Sequence, residues 1–385
     1  MLALRYLGID LHKYFMQVCV LNSDLSKEKN YRVNLCEKEL STFLAQLDQD
    51  CQVVFEASGN SYYLYDLIQP LAGKVLIANP KKLKAISSAR IKTDRIDARI
   101  LATLLKADLI PAIWVPSPTA RGLRTLLHHR VGLNKTKNPL KNRVGAILLK
   151  NGLAFKKSDL FGKAGKKFLA ELKLSRLDQI VLTSNLKILK AVEDEIQVLD
   201  QEIANLAVES EYQEEVKLLL SFPGIDYYTA LLLASEIGEV TRFPHPKNLA
   251  SYSGLVTSVY ATGKTCRRGG ITREGRKYLR WGLVQVANAA IKSPGSLREF
   301  YQRLKQRKGH GKAIVALARK ILTLIWVVLT KKEEFREKKD ALLRRKVSRM
   351  ISRACAYEEE RDILPALEGQ IKEYLLKERG DMVFR

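Results

Sequence analysis

The fold is decided by the stretch YLGIDL at residues 6–11 and by two strand-like runs after it, FMQVCVL at residues 15–21 and YRVNL at residues 31–35. Each run is short and largely apolar, and polar connections separate them, which is typical of β-strands joined in hairpins. Asp10 lies inside the first run. A carboxylate within an apolar strand is costly unless a partner or a function compensates for it.

The segments that follow alternate between helix and strand. We expect helices at 38–47 and 61–71 and strands at 51–56 and 74–78, then helical sequence interrupted near 90–93. Three strands in hairpins followed by this alternation are the order of a ribonuclease-H-like α/β domain. A plain doubly wound domain would begin to alternate earlier, so the opening hairpins favour the ribonuclease-H-like interpretation.

Composition restricts the class of protein. The chain has 385 residues, 46% of them apolar, which is enough for two or three globular domains. Its five cysteines are scattered, which argues against a disulfide scaffold or a zinc site and fits a reduced compartment. No signal peptide is visible, and the best apolar run, residues 321–330, is far shorter than the roughly 20 residues of a membrane span. We therefore expect a cytoplasmic protein with no membrane partner.

The formal charge of +25 predicts a polyanionic partner. No acidic residue occurs in the window 109–158, and the cluster 264–280 contains only one, Glu274. Solvated surface lysines are the simpler explanation of a charge run, but a window this long without an acid favours nucleic-acid binding. The candidate contacts are Arg121, Arg124, Arg130, Lys135, Lys137, Lys141, Arg143, Lys264, Arg267, Arg268, Arg273, Arg276 and Arg280.

Four carboxylates are candidates for a metal site. Asp10 lies within the first strand, Glu56 ends the fourth, and Asp94 and Asp97 stand three residues apart at a predicted helix start. This order allows all four to meet, and two divalent ions held there could activate an attacking oxygen and stabilise a leaving one. Separately, Asp94 and Asp97 could simply complement the helix dipole, and Glu56 could be a solvated strand end.

The second half of the chain is predicted to be mainly helical. Residues 160–215 carry apolar residues at gaps of three and four, which indicates a coiled-coil-like seam or an ordinary amphipathic helix. FPGI at 222–225 lies between apolar helices and resembles a helix-hairpin-helix, although Pro-Gly also makes a plain turn. We expect a loop at 256–270, helix at 273–291 and a charged helical tail from residue 331.

Several motifs together resemble one family. GIDLHK at 8–13, FEASG at 55–59 and KTDRIDA at 92–98 are similar to the blocks of DEDD-type insertion-sequence transposases related to the Piv invertase. The second half of the chain resembles the C-terminal domain of that family in five motifs: FPGI at 222–225, EIG at 236–238, RF at 242–243, YSGL at 252–255 and GITREG at 270–275. The resemblance runs in order from residue 5 to about residue 290.

The resemblance implies a RuvC-like fold with Asp10, Glu56, Asp94 and Asp97 as Mg²⁺ ligands, and a C-terminal domain that supplies a hydroxyl nucleophile. It also implies a homo-oligomer, a tetramer built as a dimer of dimers, acting on double-stranded donor and target DNA. In this family a structured guide RNA, the bridge RNA, selects both duplexes.

One motif departs from the family pattern. Where members read Ser-Gly, this chain has Thr262-Gly263. Threonine also carries a hydroxyl, but its methyl group crowds in-line attack on phosphorus. Ser258 and Ser253 are the alternatives if the register differs, and a lone Thr before Gly is usually a turn residue.

We therefore predict a transposase with four segments. These are a RuvC-like catalytic domain with a basic extension (1–158), a coiled-coil-like helical segment (159–215), a mainly α-helical C-terminal transposase domain with the nucleophile loop (216–330) and a charged tail (331–385). The alternatives are a RuvC-like junction nuclease that uses water, and a catalytically silent nucleic-acid-binding scaffold.

Overall fold

The computed structural model describes residues 4–22, 28–86, 93–155, 159–263 and 265–355. The chain divides into two compact units, residues 1–117 and residues 118–385. This boundary differs from the expected one at residue 158, because the helix that begins at Pro118 packs within the second unit.

The first unit is built on a five-stranded sheet. Its strands, in the sheet order β3-β2-β1-β4-β5, are numbered along the chain as β1 Arg5–Leu11, β2 Phe15–Asn22, β3 Glu28–Asn34, β4 Cys51–Glu56 and β5 Lys74–Ala78. β2 pairs antiparallel with β1 and β3, whereas β4 pairs parallel with β1 and β5. Two hairpins followed by parallel crossovers confirm the RuvC-like, ribonuclease-H-like prediction.

In the described part of this unit, four helices accompany the sheet: α1 Glu37–Leu44, α2 Ser61–Ile68, α3 Pro80–Ile86 and α4 Asp94–Lys106. Leu7, Ile9 and Phe55 face the larger apolar core, together with residues of α1 and α2. α4 covers the opposite face of the sheet, where Val54 packs with Leu101 and Leu105. Of the predicted interruption at 90–93, residues 90–92 lie outside the described part of the chain, and Thr93 caps α4.

α4 approaches the sheet closely because residue 8 is glycine. A Cβ atom at Gly8 would overlap the carbonyl oxygen of Ala98 and the amide nitrogen of Ala102. The space beside Gly8 is therefore filled by the helix that carries Asp94 and Asp97.

The second unit is mainly helical. Its elements are α5 Pro118–Lys150, α6 Lys163–Glu171, α7 Arg176–Glu209, α8 Gln213–Leu220, α9 Tyr227–Ile237, α10 Pro246–Tyr252, β6 Thr257–Thr262, β7 Thr265–Ile271, α11 Lys277–Ala290, α12 Ser296–Lys331 and α13 Asp340–Cys355. One apolar core includes buried residues from α5, from α7 to α13 and from the turns between them. The charged tail therefore contributes to this core through Leu343 and Met350 of α13.

The predicted seam of α7 packs within its own chain. α5 and α7 run antiparallel, since ion pairs join Lys150 to Asp178 at 2.7 Å, Lys137 to Glu193 at 3.2 Å, and Arg130 to Asp200 at 2.9 Å. Leu182 lies in the same apolar cluster as Leu148 of α5. The amphipathic-helix alternative accounts for these buried residues, and pairing between chains stays a prediction.

The FPGI segment is a packed turn between α8 and α9. Phe222 is fully buried, and Gly224 has a φ of +84°. A side chain at Gly224 would collide with Ala289 and Ala290 of α11, so the glycine serves close helix packing. These contacts fit the plain turn that the sequence left open as an alternative.

The predicted loop at 256–270 is a β-hairpin, so the expectation of a loop was wrong. β6 and β7 pair antiparallel, with Thr262 opposite Thr265. Gly263, directly after β6, takes a φ of +56°, the left-handed conformation that tight hairpins require. Glycine is rare in strands, so Gly269 and Gly270 made β7 look like a loop. Its partner β6 is rich in Thr, Val and Tyr, which are typical of strands.

α12 is long and apolar enough, by length and composition, to cross a membrane. Half of its most apolar window is nevertheless buried in the protein, where Leu317, Ile321 and Ile325 belong to the core of the second unit. A core helix of this kind passes the same test, so the helix is weak evidence for a membrane.

Candidate active site

Two of the predicted carboxylates lie near the carboxyl ends of the neighbouring strands β1 and β4, in the interior of the sheet. β1 and β4 are parallel and pair Ile9 with Phe55, so Asp10 and Glu56 each follow a paired residue. Side chains alternate along a strand, which places Asp10 and Glu56 on the face opposite Ile9 and Phe55, the face that α4 covers. Both acids are half-buried.

The other two carboxylates stand in the first turn of α4. The Thr93 hydroxyl accepts a hydrogen bond from the amide of Ile96 at 3.3 Å, which fixes the start of the helix. Asp94 and Asp97 are one turn apart and share a helix face. The close packing of α4 at Gly8 brings this turn to the end of β1, where Asp10 lies.

His12 joins the carboxylate cluster, a role that the sequence reasoning missed. Its Nε2 lies 3.2 Å from Oδ2 of Asp10 and 3.5 Å from Oδ2 of Asp94. The ring stacks on Phe15 at 4.5 Å between centroids. Ligand atoms of Asp10, His12 and Asp94 all lie within 4.8 Å of one another. Its position two residues after Asp10, directly after the end of β1, was the available signal.

The electrostatics of the cluster fit a bound cation. Burial raises the pKa of Asp10, and the charges of Asp94 and Asp97 raise it further, while His12 lowers it. Asp97 is therefore within electrostatic reach of Asp10. Carboxylates that repel one another in a half-buried site are the donor set that a hard divalent cation prefers. The residues present thus fit a metal site.

Thr262 lies at the free end of the β6–β7 hairpin and is exposed. Its cross-strand partner is Thr265. Of the alternative hydroxyls, Ser253 is fully buried and donates to the carbonyl oxygen of Ala250 at 2.8 Å. The Ser258 hydroxyl donates to the carbonyl oxygen of Gly270 at 3.3 Å, near the base of the hairpin. Thr262 is therefore the most accessible of the three.

Two of the predicted nucleic-acid contacts from the basic window hold the second unit together. Arg124 is only 5% exposed, and its Nε donates to the carbonyl oxygen of Ser235 at 2.7 Å, which removes it from any phosphate-binding surface. Arg130 forms a two-pronged ion pair with Asp200 and lies over the ring of Tyr228. These arginines lie on the core side of α5, a distinction that an acid-free window cannot make.

Arg276 also has an internal partner. Glu236 is fully buried and accepts from Arg276 at 2.7 Å and bonds to His128 at 2.6 Å. Burial by itself raises the pKa of Glu236, but these hydrogen bonds and the charges of Arg276 and Arg124 outweigh it and lower the pKa to about 2. Because Arg276 follows the hairpin and its amide donates to the carbonyl oxygen of Tyr252, just before the hairpin, this network ties the two ends of the hairpin together.

The remaining candidates lie nearer the solvent. Exposed ones are Lys135, Arg143, Arg267, Arg268 and Arg273. Partly exposed ones are Arg121, Lys137, which pairs with Glu193, Lys141, whose ammonium lies over the ring of Phe161, and Arg280, which donates to the carbonyl oxygen of Ser253. Lys264 lies outside the described residues.

Comparison with known families matches both halves of the chain. A transposase family of the DEDD, IS110 type matches residues 7–151, and the family described as "Transposase IS116/IS110/IS902 family" matches residues 216–302. The first match contains the four acids, and the second contains the hairpin with Thr262. Fold, acids and matches define a transposase, which is a DNA recombinase.

The chain belongs to the IS110/IS116 family of insertion-sequence transposases. It is 25% identical to the transposase for insertion sequence element IS1111A of Coxiella burnetii, over 86% of this chain and 92% of the relative. It is 26% identical to a probable family 20 transposase of Pseudomonas aeruginosa, over 86% and 99%. It is 27% identical to a putative transposase of Sinorhizobium fredii, over 73% and 70%.

Proposed function

We propose that this transposase cleaves and exchanges DNA strands in a metal-dependent reaction that passes through a covalent protein–DNA intermediate. The observation that carries the proposal is the cluster of Asp10, His12 and Asp94, with Glu56 on the same sheet face and Asp97 within electrostatic reach. The exposed hydroxyl of Thr262 is the proposed nucleophile.

Each group has a distinct task in this proposal. Asp10, Glu56, Asp94 and Asp97 would hold divalent ions, and Mg²⁺ is the cation we propose because all four supply oxygen ligands. When bound, the metal supplies positive charge to the scissile phosphate and to the leaving oxygen. Thr262 forms an ester with the phosphate, and reversal of that attack by a new strand end completes exchange. The ester conserves the phosphodiester bond energy, so the reaction needs no nucleotide hydrolysis.

The proposed partners follow from charge and from the family. The exposed cations of α5 and of the hairpin suit the phosphates of double-stranded donor and target DNA and of a structured guide RNA, although charge alone does not distinguish RNA from DNA. We further propose a homo-oligomer, a tetramer, in which different subunits combine to complete the site. The protein would work where the DNA is, in the cytoplasm of a prokaryote. RNA that copurifies with the protein and is released by salt would support the guide.

The test is to trap the covalent adduct with the wild type and with two variants of Thr262. Thr262→Ser keeps the hydroxyl, removes the crowding methyl group and should retain or improve strand exchange. Thr262→Val keeps the shape, removes the oxygen and should eliminate the adduct while complex assembly continues. Mass spectrometry of the trapped species should locate the DNA on residue 262.

The alternatives give different results in the same experiment. A nuclease that uses water would still cleave DNA in the Thr262→Val variant. A silent scaffold would give no adduct and no cleavage in any variant. An adduct on Ser258 would move the nucleophile to the base of the hairpin and contradict the role of Thr262.

A further inference from the structure

The β6–β7 hairpin has two chemically different faces. Antiparallel pairing joins Thr262 to Thr265 and Tyr260 to Arg267 on one face. It joins Ala261 to Cys266 and Val259 to Arg268 on the other, because neighbouring residues on a strand point in opposite directions. We call these the Thr262 face and the Arg268 face.

Every residue of the hairpin from 259 to 270 that the structure describes is exposed. Tyr260 is 72% exposed, although its unit buries Tyr212, Tyr227, Tyr228 and Tyr301. The sequence contains no acidic residue from 240 to 273, so nothing within the hairpin offsets its arginines. A protruding, acid-free, two-stranded ribbon matches the shape and charge of a DNA groove or an opened DNA strand.

We propose that the Thr262 face forms the binding surface for the scissile phosphate, with Arg267 as the phosphate contact and Tyr260 as a stacking platform for the adjoining base. This inference rests on the proposed function, since it takes Thr262 as the nucleophile. It assigns a role to one hairpin arginine and withholds that role from its neighbour, which charge alone does not do.

The spacing on this face suits one nucleotide. Cross-strand partners have Cβ atoms about 4.5–5.5 Å apart, and residues two apart on a strand are separated by about 6.5 Å. Arg267 is therefore one step from Thr262 diagonally, and Tyr260 is one step from Thr262 along the strand. Among the described residues, a Cβ atom at Gly263 would have no neighbour within 4 Å, so the backbone directly after Thr262 is uncrowded.

The chemistry of each side chain fits its place. A guanidinium donates two parallel hydrogen bonds to two phosphate oxygens, which fixes the orientation of the phosphorus as well as its position. A tyrosine ring accepts any base on its face, so it holds an unstacked nucleotide without selecting its sequence. Thr262 Oγ1 then forms a bond to phosphorus, the bond from phosphorus to a deoxyribose oxygen breaks, and the hydroxyl proton ends on that leaving oxygen.

The two faces supply matched controls. Arg267→Ala and Arg268→Ala remove the same charge from adjacent positions of the same strand, and both should weaken DNA binding and lower the salt dependence by about one counterion. Adduct formation measured in a single turnover at saturating DNA should separate them. Arg267→Ala should be slower than Arg268→Ala by about 30-fold or more, since loss of one oriented donor to a reacting group costs about 10²–10³-fold in rate.

Conservative variants test orientation and stacking. Arg267→Lys keeps the charge and loses the fork, so it should recover binding but only part of the rate. Tyr260→Phe should retain affinity for a single-stranded end, whereas Tyr260→Ala should lose about 5- to 150-fold. Val259→Ala, on the Arg268 face, is the comparison for truncation, and thermal midpoints should agree among all variants because the hairpin is exposed.

Three outcomes would overturn the inference. Equal single-turnover rates for Arg267→Ala and Arg268→Ala, with an adduct on Thr262 in the wild type, would overturn it while leaving the proposed function intact. Equal affinities of Tyr260→Ala and Val259→Ala for a single-stranded end would contradict the role of Tyr260 as a stacking platform. A wild-type protein that is active on DNA without an adduct on Thr262 would overturn both this inference and the proposed nucleophile.

Discussion

Gly8 and Ala98 are in direct backbone apposition: a Cβ atom on Gly8 would overlap the carbonyl oxygen of Ala98. The glycine is thus the reason that α4 lies close to β1. Since α4 carries Asp94 and Asp97 in its first turn and β1 carries Asp10, the geometry of the carboxylate cluster depends on a residue with no side chain.

Gly8→Ala should therefore weaken both the fold and the cluster. The helix has to move away from the sheet, and overpacking of this kind costs about 1–3 kcal/mol of folding free energy. We expect a lower thermal midpoint and a loss of DNA cleavage that added Mg²⁺ does not restore.

Gly59→Ala is the control for Gly8→Ala, because a Cβ at Gly59 has no neighbour within 4 Å and its φ is not in the left-handed region. It should fold as stably as the wild type. Equal stability of the Gly8→Ala and Gly59→Ala proteins would contradict the close packing of α4.

Asp10→Asn and Asp97→Asn should each abolish cleavage while nucleic-acid binding persists. Both acids belong to the proposed metal site, and the several kcal/mol that a metal contributes to transition-state stabilisation correspond to about 10³-fold or more in rate. Cleavage rate and affinity, measured on the same DNA, check the prediction.

Thermal midpoints of the Asp10→Asn protein give an independent readout. Burial and the charges of Asp94 and Asp97 disfavour an ionised Asp10, so in metal-free buffer the neutral variant should melt at or above the wild-type temperature. Addition of Mg²⁺ should stabilise the wild type more than the variant. A wild-type rate of recombination by either variant would contradict the metal site.

The sheet was predictable because its signals are local. The runs at 6–11, 15–21 and 31–35 overlap β1, β2 and β3, although β3 begins earlier, at Glu28, and strand order follows from hairpin and crossover rules. The role of Gly8 was not predictable, because glycine signals the absence of a side chain but not which neighbour fills the space. The contact is with Ala98, 90 positions along the chain.

The internal partners of the basic residues were not predictable from the sequence. Net charge in a window predicts a partner for the surface, but Arg124 and Arg130 point towards α9 and α7, and their partners Ser235 and Asp200 are far away in sequence. The hairpin was missed for a related reason, because its pairing depends on a turn at Gly263 and its strands lack a buried face. Periodicity identifies strands only where one face is covered.

The salt dependence of nucleic-acid affinity should distinguish the surface cations of α5 from the internal ones. Replacing the exposed Lys135 and Arg143 together with Ala should lower the slope of log affinity against log salt by about two, without loss of stability. Arg130→Ala should instead leave the slope unchanged and cost about 2–4 kcal/mol of stability, because it breaks a half-buried ion pair with Asp200. An unchanged slope for the double variant would show that this part of α5 is ordinary solvated surface.

Glu236→Gln should destabilise the second unit in a way that depends on pH. The partners of Glu236 lower its pKa from 4.5 to about 2, so its ionised form contributes stability that is fully present above pH 4.5 and is lost as the pH falls towards 2. That difference corresponds to about 3 kcal/mol at neutral pH for a side chain with no solvent exposure. Denaturant unfolding of the wild type and of Glu236→Gln at pH 7, 5, 4 and 3 should show a difference in unfolding free energy that is constant down to about pH 5 and narrows below it.

The control is Glu239→Gln, because Glu239 is three residues along the chain and exposed. This variant should stay within about 0.5 kcal/mol of the wild type at every pH. A gap between wild type and Glu236→Gln that persists unchanged to pH 3 would mean that Arg276 and His128 do not hold this carboxylate ionised, and the two ends of the hairpin would then need another tie.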